Sequence, residues 1–230
     1  WLFQVPWDFV TIDFTTGEYL PDLGERMPGL RDHVIERVTK TYGTRLMFTT
    51  HVIPGASRPV AAPHGGGSTG ILIHTVMCYS LTEPSAPAYG NRDFTWLLDK
   101  ARSEVRRHET WYWPESSYWI AFDTPVPVFL LPYLEARLTD MATAVTFGAT
   151  GHLTFTSGWE WGYWLVDWSI ARWSWDHVID GKPRSHGPLD YVREVMPGED
   201  TGDLWNRALF LQTRYLKEKG LMAFVSALDP

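Results

Sequence analysis

Hydrophobic residues along this chain fall into short β-branched or aromatic runs that alternate with longer stretches of helical spacing. The first run, WDFVTID (7–13), predicts a strand ending at Asp13, followed by the turn-rich TTGEYLPDLGERMPG. LRDHVIERVTKTYG (30–43) sets Leu30, Val34, Ile35 and Val38 on one helical stripe, with Gly43 as its stop. RLMFTTHV (45–52) is a second strand, and ILIHTVMCYS (71–80) is apolar enough for a third one buried on both faces. Residues 92–108 have helical spacing at Phe94, Leu97, Leu98, Ala101 and Val105, and ETWYW, from Glu109, is the fourth strand. A helix over 128–145 with a proline near its start, a strand at GHLTFTSGW (151–159) and a helix over 160–175 come next. A helix over 203–220 and a weaker sixth strand at LMAFVSA (221–227) close the pattern.

Strands of this length alternating with helices predict βαβ units and a largely parallel sheet. Eight such units take about 250 residues. The 230 residues therefore predict one α/β domain over 1–230, a (β/α)8-type (TIM) barrel, whole or partial and with irregular units; an open α/β sheet is the alternative. No repeat or low-complexity segment interrupts it, and GGGST is too short to link domains. The apolar start at Trp1, without an initiator Met, leads us to expect processing or a piece of a longer chain.

Charge and composition narrow the partners. A net charge of −7, with 20 basic residues and no Lys/Arg block, leaves no footprint for a phosphate backbone, so nucleic acid is not expected. The single cysteine, Cys78, rules out an intrachain disulfide framework and a multi-thiolate metal site. No apolar stretch reaches the roughly 18 residues of a membrane span. The unusual quantity is tryptophan: 13 residues, nine of them from Trp111 to Trp175. Such a cluster fills a large core or lines a cleft.

Three motif families match PHGGGSTG (63–70) at once: Gly65, Gly67 and Gly70 fit G-x-G-x-x-G; Gly66, Ser68 and Gly70 fit G-x-S-x-G; and His64 to Gly67 spell H-G-G-G. The first two require a strand before and a helix after. Here a Pro-rich loop precedes and a strand follows, so a plain loop is expected. His51, His74 and His152 sit in or beside strands, from which a barrel hydrolase could gather a metal. With no H-E-x-x-H and no close helical pair, neither a metal nor another cofactor is expected. Trp161, Trp164, Trp168, Ala171 and Trp175 step by three and four along one helical face, which predicts a core stripe packed on the sheet; the alternative is a membrane-surface or partner-binding face.

The carboxylates carry more chemistry. Glu115 follows WYWP and Glu160 follows TFTSGW, each where a strand should end. In parallel α/β folds the strand C-terminal ends open on one face, so both would project into one cleft. Glycoside hydrolysis needs such a pair, one carboxylic acid to protonate the leaving oxygen and one carboxylate as nucleophile or base. Trp113, Trp119, Trp159 and Trp161 would offer planes for sugar rings and raise a neighbouring glutamate's pKa. Asp13 and His51 are further substrate-binding candidates, with Asp123 a weaker one. The structural alternative for Glu115 and Glu160 is a role at a turn or a helix start.

At WYWPE and SGWEW the chain resembles the catalytic domains of (β/α)-barrel glycoside hydrolases. That resemblance implies hydrolysis of glycosidic bonds in a poly- or oligosaccharide, with Glu115 and Glu160 as the pair. The two glutamates stand 45 residues apart, one or two βα units, whereas the large two-glutamate clan separates its pair by about three. Two other readings use the same aromatics: a non-catalytic carbohydrate-binding protein, and an assembly module that buries the tryptophan helix against another subunit. A glycan substrate favours a secreted or periplasmic location. The oligomeric state has no signature in the sequence.

Overall fold

Five chain segments pair edge to edge into one parallel sheet in a computed structural model that describes residues 2–12, 27–50, 69–75, 80, 95–114, 130–154, 160–176, 178–179, 182–183, 187–196, 198 and 200–219. The strands are β1 (Phe9–Ile12), β2 (Arg45–Thr50), β3 (Thr69–Thr75), β4 (Glu109–Pro114) and β5 (Gly151–His152). Their order is β1-β2-β3-β4-β5, and each pairs in parallel with the next in sequence: Phe9 with Arg45, Leu46 with Thr69, Gly70 with Glu109, Trp111 with Gly151. The sheet is wound in one direction and has no point where the strand order reverses. The predicted α/β architecture is therefore present as a five-stranded parallel sheet. An eight-stranded closure is not: among the described residues the remaining strands are the two-residue antiparallel partners β6 (Val178–Ile179) and β7 (Lys182–Pro183). The sixth parallel strand expected at 221–227 lies outside the described residues.

Among the described residues, helices occupy the crossovers from β1 to β2, β3 to β4 and β4 to β5, while residues 51–68 between β2 and β3 lie outside the description. α1 (Met27–Ile35) continues as wider π turns over Glu36–Thr41 and stops at the predicted Gly43, whose φ of 68° only glycine adopts without strain. α2 spans Thr95–Glu104, α3 Leu131–Phe147, α4 Glu160–Asp176, α5 Asp190–Val195 and α6 Thr201–Gln212, the last extended over Thr213–Lys217. α3 begins with a proline in its first turn and ends at Gly148 with φ 93°, the start and stop that fixed φ and a free φ favour. The six-residue α5 was not expected from the sequence, because DYVREV is too short to show a helical period.

Strand alternation divides the core. Leu46 and Phe48 face Val34, Ile35 and Val38 of α1 and its extension. Ile71, Ile73 and Tyr112 continue that face and pack with Ala101 of α2, Leu134 and Met141 of α3, and Leu165, Ile170 and Trp173 of α4. Met47 and Leu72 point to the opposite face and are equally buried, so β3 is covered on both sides, as its unbroken apolar run predicts. On that second face the Arg45 guanidinium pairs with Glu109, which also accepts from Trp111 Nε1 at 2.9 Å, while Phe9 meets the Trp111 ring edge-on with centroids 5.0 Å apart. Gly70 belongs to β3 rather than to the preceding loop, and a Cβ there would overlap the Met47 sulfur and the Glu109 carbonyl. Its place inside a strand removes the helix-opening role that both glycine motifs require.

The tryptophan stripe corrects an expectation. α4 buries Leu165, Val166, Ser169, Ile170 and Trp173, whereas Trp168 is 40% and Trp175 86% exposed and Ala171 faces outward. The segment is apolar nearly all round, so two stripes fit a 3.6-residue period. The aliphatic stripe packs against α3; of the expected stripe Trp164 is half-buried against that core, Trp168, Ala171 and Trp175 face outward, and the Trp161 side chain lies outside the description.

A buried polar cluster ties α3 to the sheet. Tyr112 Oη donates to Asp140 Oδ2 at 2.6 Å, Ser80 Oγ donates to Oδ1 at 2.9 Å, and Arg137 Nη2 lies 3.3 Å from Oδ2. Arg137 and Asp140 are 0% and 1% exposed. Asp140→Ala removes the carboxylate that the buried Arg137 guanidinium and the Tyr112 and Ser80 hydroxyls share, and should cost about 3–5 kcal/mol of unfolding free energy. Arg45→Ala breaks a half-exposed pair that water already screens and should cost under about 1 kcal/mol. Urea unfolding of the two variants measures this, and equal losses would contradict it.

Candidate functional site

Because all five strands are parallel, Ile12, Thr50, Thr75, Pro114 and His152 end them on one edge of the sheet. Thr75 pairs with Pro114 and Tyr112 with His152, so the last residues of β3, β4 and β5 stand close in register. Asp13, His51 and Glu115 are the residues that follow β1, β2 and β4 in the sequence. They lie outside the described residues, as do Trp119 and Trp159. Glu160 and Trp161 begin the backbone of α4, and their side chains are outside the description. The position of Glu160 as the first helical residue is the one the helix-start alternative requires. Trp113 is the one sequence candidate whose side chain is described: it is half-buried in β4, with His74 as its register partner in β3. The fold thus brings together the strands that lead to the candidates.

A second polar arrangement, not anticipated as a site, lies on the helix-covered face. His152 of β5 shares that face with Tyr112, and its Nδ1 stands 2.9 Å from Ser174 Oγ of α4. Ser174 donates its hydroxyl to the Ile170 carbonyl at 2.7 Å, the turn-back bond usual for a helical serine. Burial pushes the His152 pKa below its ordinary 6.5 and keeps the imidazole neutral. A serine whose proton goes to a main-chain carbonyl is not activated by the imidazole beside it, and among the described residues no carboxylate bonds to His152 to orient it. The pair holds α4 against β5 rather than forming a nucleophile. Sequence reading marked His152 as a strand histidine, but its partner lies 22 residues on, and no local motif connects them.

At the opposite strand edge, His108 Nε2 lies 3.6 Å from Glu104 Oε2, both side chains 3% exposed, with Thr69 Oγ1 3.5 Å from Nδ1. These groups stand at the N-terminal ends of β3 and β4, where parallel barrels place stabilising residues rather than catalytic ones. Among the described residues no three His, Cys, Asp or Glu side chains gather as metal ligands, and no helix is long and apolar enough to cross a membrane.

Compared with protein-family models, with curated proteins and with solved structures, the chain matches none of them.

The lowered pKa of His152 sets a pH dependence. In the window between the depressed folded value and 6.5, the unfolded chain binds this proton and the folded protein does not. The stability lost through this group is therefore zero above 6.5, grows as pH falls below it, and levels off beneath the folded value. Unfolding free energies measured from about pH 5 to 8 should show that decline, and His152→Gln should flatten it. An unchanged profile in the variant would contradict the assignment.

Proposed function

We propose that the protein hydrolyses glycosidic bonds in a poly- or oligosaccharide, using Glu115 and Glu160 as its carboxylate pair at the C-terminal edge of the sheet. The observation that carries this reading is the winding of the sheet. Five parallel strands in sequential order end on one edge, and three of them are followed at once in sequence by Asp13, His51 and Glu115. Single winding is also the strand order of a (β/α)8 barrel, which supports the barrel as the complete architecture. In that architecture the chemistry sits at the strand C-terminal ends and the opposite ends serve stability. The Arg45–Glu109 pair and the buried Glu104–His108 pair at the N-terminal ends fit that division.

The chemistry follows from the pair. One carboxylic acid protonates the glycosidic oxygen as the bond to the anomeric carbon breaks, and the other carboxylate attacks that carbon or takes a proton from the water that does. Trp113, Trp119, Trp159 and Trp161 stack on sugar C–H faces, and Asp13 and His51 hydrogen-bond to hydroxyls. A glycan of this kind lies outside the cell, which favours a secreted or periplasmic protein. The second reading, a non-catalytic carbohydrate-binding or assembly module, draws support from the exposed Trp168 and Trp175 on α4, rings that the core does not use.

Release of reducing ends from a panel of poly- and oligosaccharides tests the proposal. The protein should cleave at least one, and Glu115→Gln and Glu160→Gln should each slow cleavage by about 10²–10⁴-fold with the far-ultraviolet spectrum unchanged. Undiminished rates in both variants would end the carboxylate assignment. Glycan binding without any product, lost in Trp175→Ala, would establish the second reading instead.

A further inference from the structure

Between β5, α3 and α4 lies a pocket of about 360 Å3 on the helix-covered face of the sheet. Met141, Ala144 and Val145 of α3 form one wall, and the Tyr112 ring, His152 and Ser174 complete it. The size is that of a small-molecule site, and apolar walls with a few polar groups are the usual lining of one.

The hydrogen bonds at its polar end define what a ligand must bring. Ser174 has one hydroxyl proton and donates it to the Ile170 carbonyl at 2.7 Å. Its oxygen stands 2.9 Å from His152 Nδ1 and 3.5 Å from Nε2, in line with neither nitrogen, and so selects no tautomer. A neutral imidazole has one protonated and one bare nitrogen in either tautomer, so the ring carries one acceptor. An imidazole kept neutral by burial, beside apolar walls, disfavours a charged guest of either sign. The Met141 thioether and the Tyr112 ring favour a flat aromatic one.

We propose that this pocket binds a neutral two-ring aromatic molecule with a single N–H or O–H donor, which it directs at the bare ring nitrogen of His152. The site is distinct from the carboxylate pair in composition, since neither Glu115 nor Glu160 lines it.

Indole and benzofuran are near-isosteric probes that differ in the N–H. Titrated into the full chain and followed by nuclear magnetic resonance at the His152 ring, indole should bind saturably, and benzofuran about five- to tenfold more weakly, the worth of one neutral hydrogen bond. No saturable indole binding, or equal affinity for the two, would overturn the proposal. Ala144→Met extends a side chain from the buried wall and should abolish binding of both probes in a folded variant. Unchanged indole binding there would place the ligand elsewhere and also overturn it. The comparison of the two probes on the unmodified protein decides the matter even if that variant does not fold.

Discussion

Asp140 is a carboxylate with almost no contact with water, and the arrangement of the sheet's second half depends on how it is satisfied. Its two oxygens receive the Tyr112 hydroxyl from β4, the Ser80 hydroxyl from the segment after β3, and the Arg137 guanidinium from its own helix. A charge at that depth is tolerable only when paired and fully hydrogen-bonded. Sliding α3 by one turn, or shifting β4 by one residue, would break the bonds that join Asp140 to Tyr112 and Ser80 in a buried setting. Apolar packing alone would accept several such slips, so the polar cluster selects one seating of α3 on the sheet. β4 is held there between β3 and β5, with Glu115 as the next residue after its end.

From that fixed strand the two faces of the sheet take different work. The helix-covered face buries Ile71, Ile73 and Tyr112 and leaves beside His152 a pocket whose polar end is a neutral imidazole. The other face gathers Phe9, Trp111, Arg45 and Glu109, an aromatic and ionic floor toward the start of the strands. Stability is thereby concentrated at one edge and along the helices. The edge where the strands end is the one from which carboxylates can act, which is why the proposed chemistry is drawn from residues that follow strands.

Much of this fold was legible because strands and helices carry different periods. All five parallel strands were expected where they occur, since their β-branched and aromatic runs stand out against the helical stripes between them. β5 was expected as nine residues and pairs over two, because periodicity reports the fitness of a segment for a strand and not how far its neighbour extends. α4 was read with its tryptophans inward, since a helix apolar on most sides does not reveal which stripe its neighbours will cover. The Asp140 cluster and the His152–Ser174 pair were not legible at all. Their partners stand 28, 60 and 22 residues apart and meet through tertiary packing, so no local pattern marks them. For the carboxylate pair, the sequence offered residue type and position relative to strands, while its geometry depends on side chains that the described residues do not include.

The most direct test of the central claim is the separation of the Glu115 and Glu160 carboxyl groups, measured crystallographically. The account predicts that they share a cleft at about 5 to 10 Å, the lower end indicating a retaining and the upper an inverting hydrolase. A separation well beyond that range, or either carboxylate closed into an internal salt bridge, would contradict it.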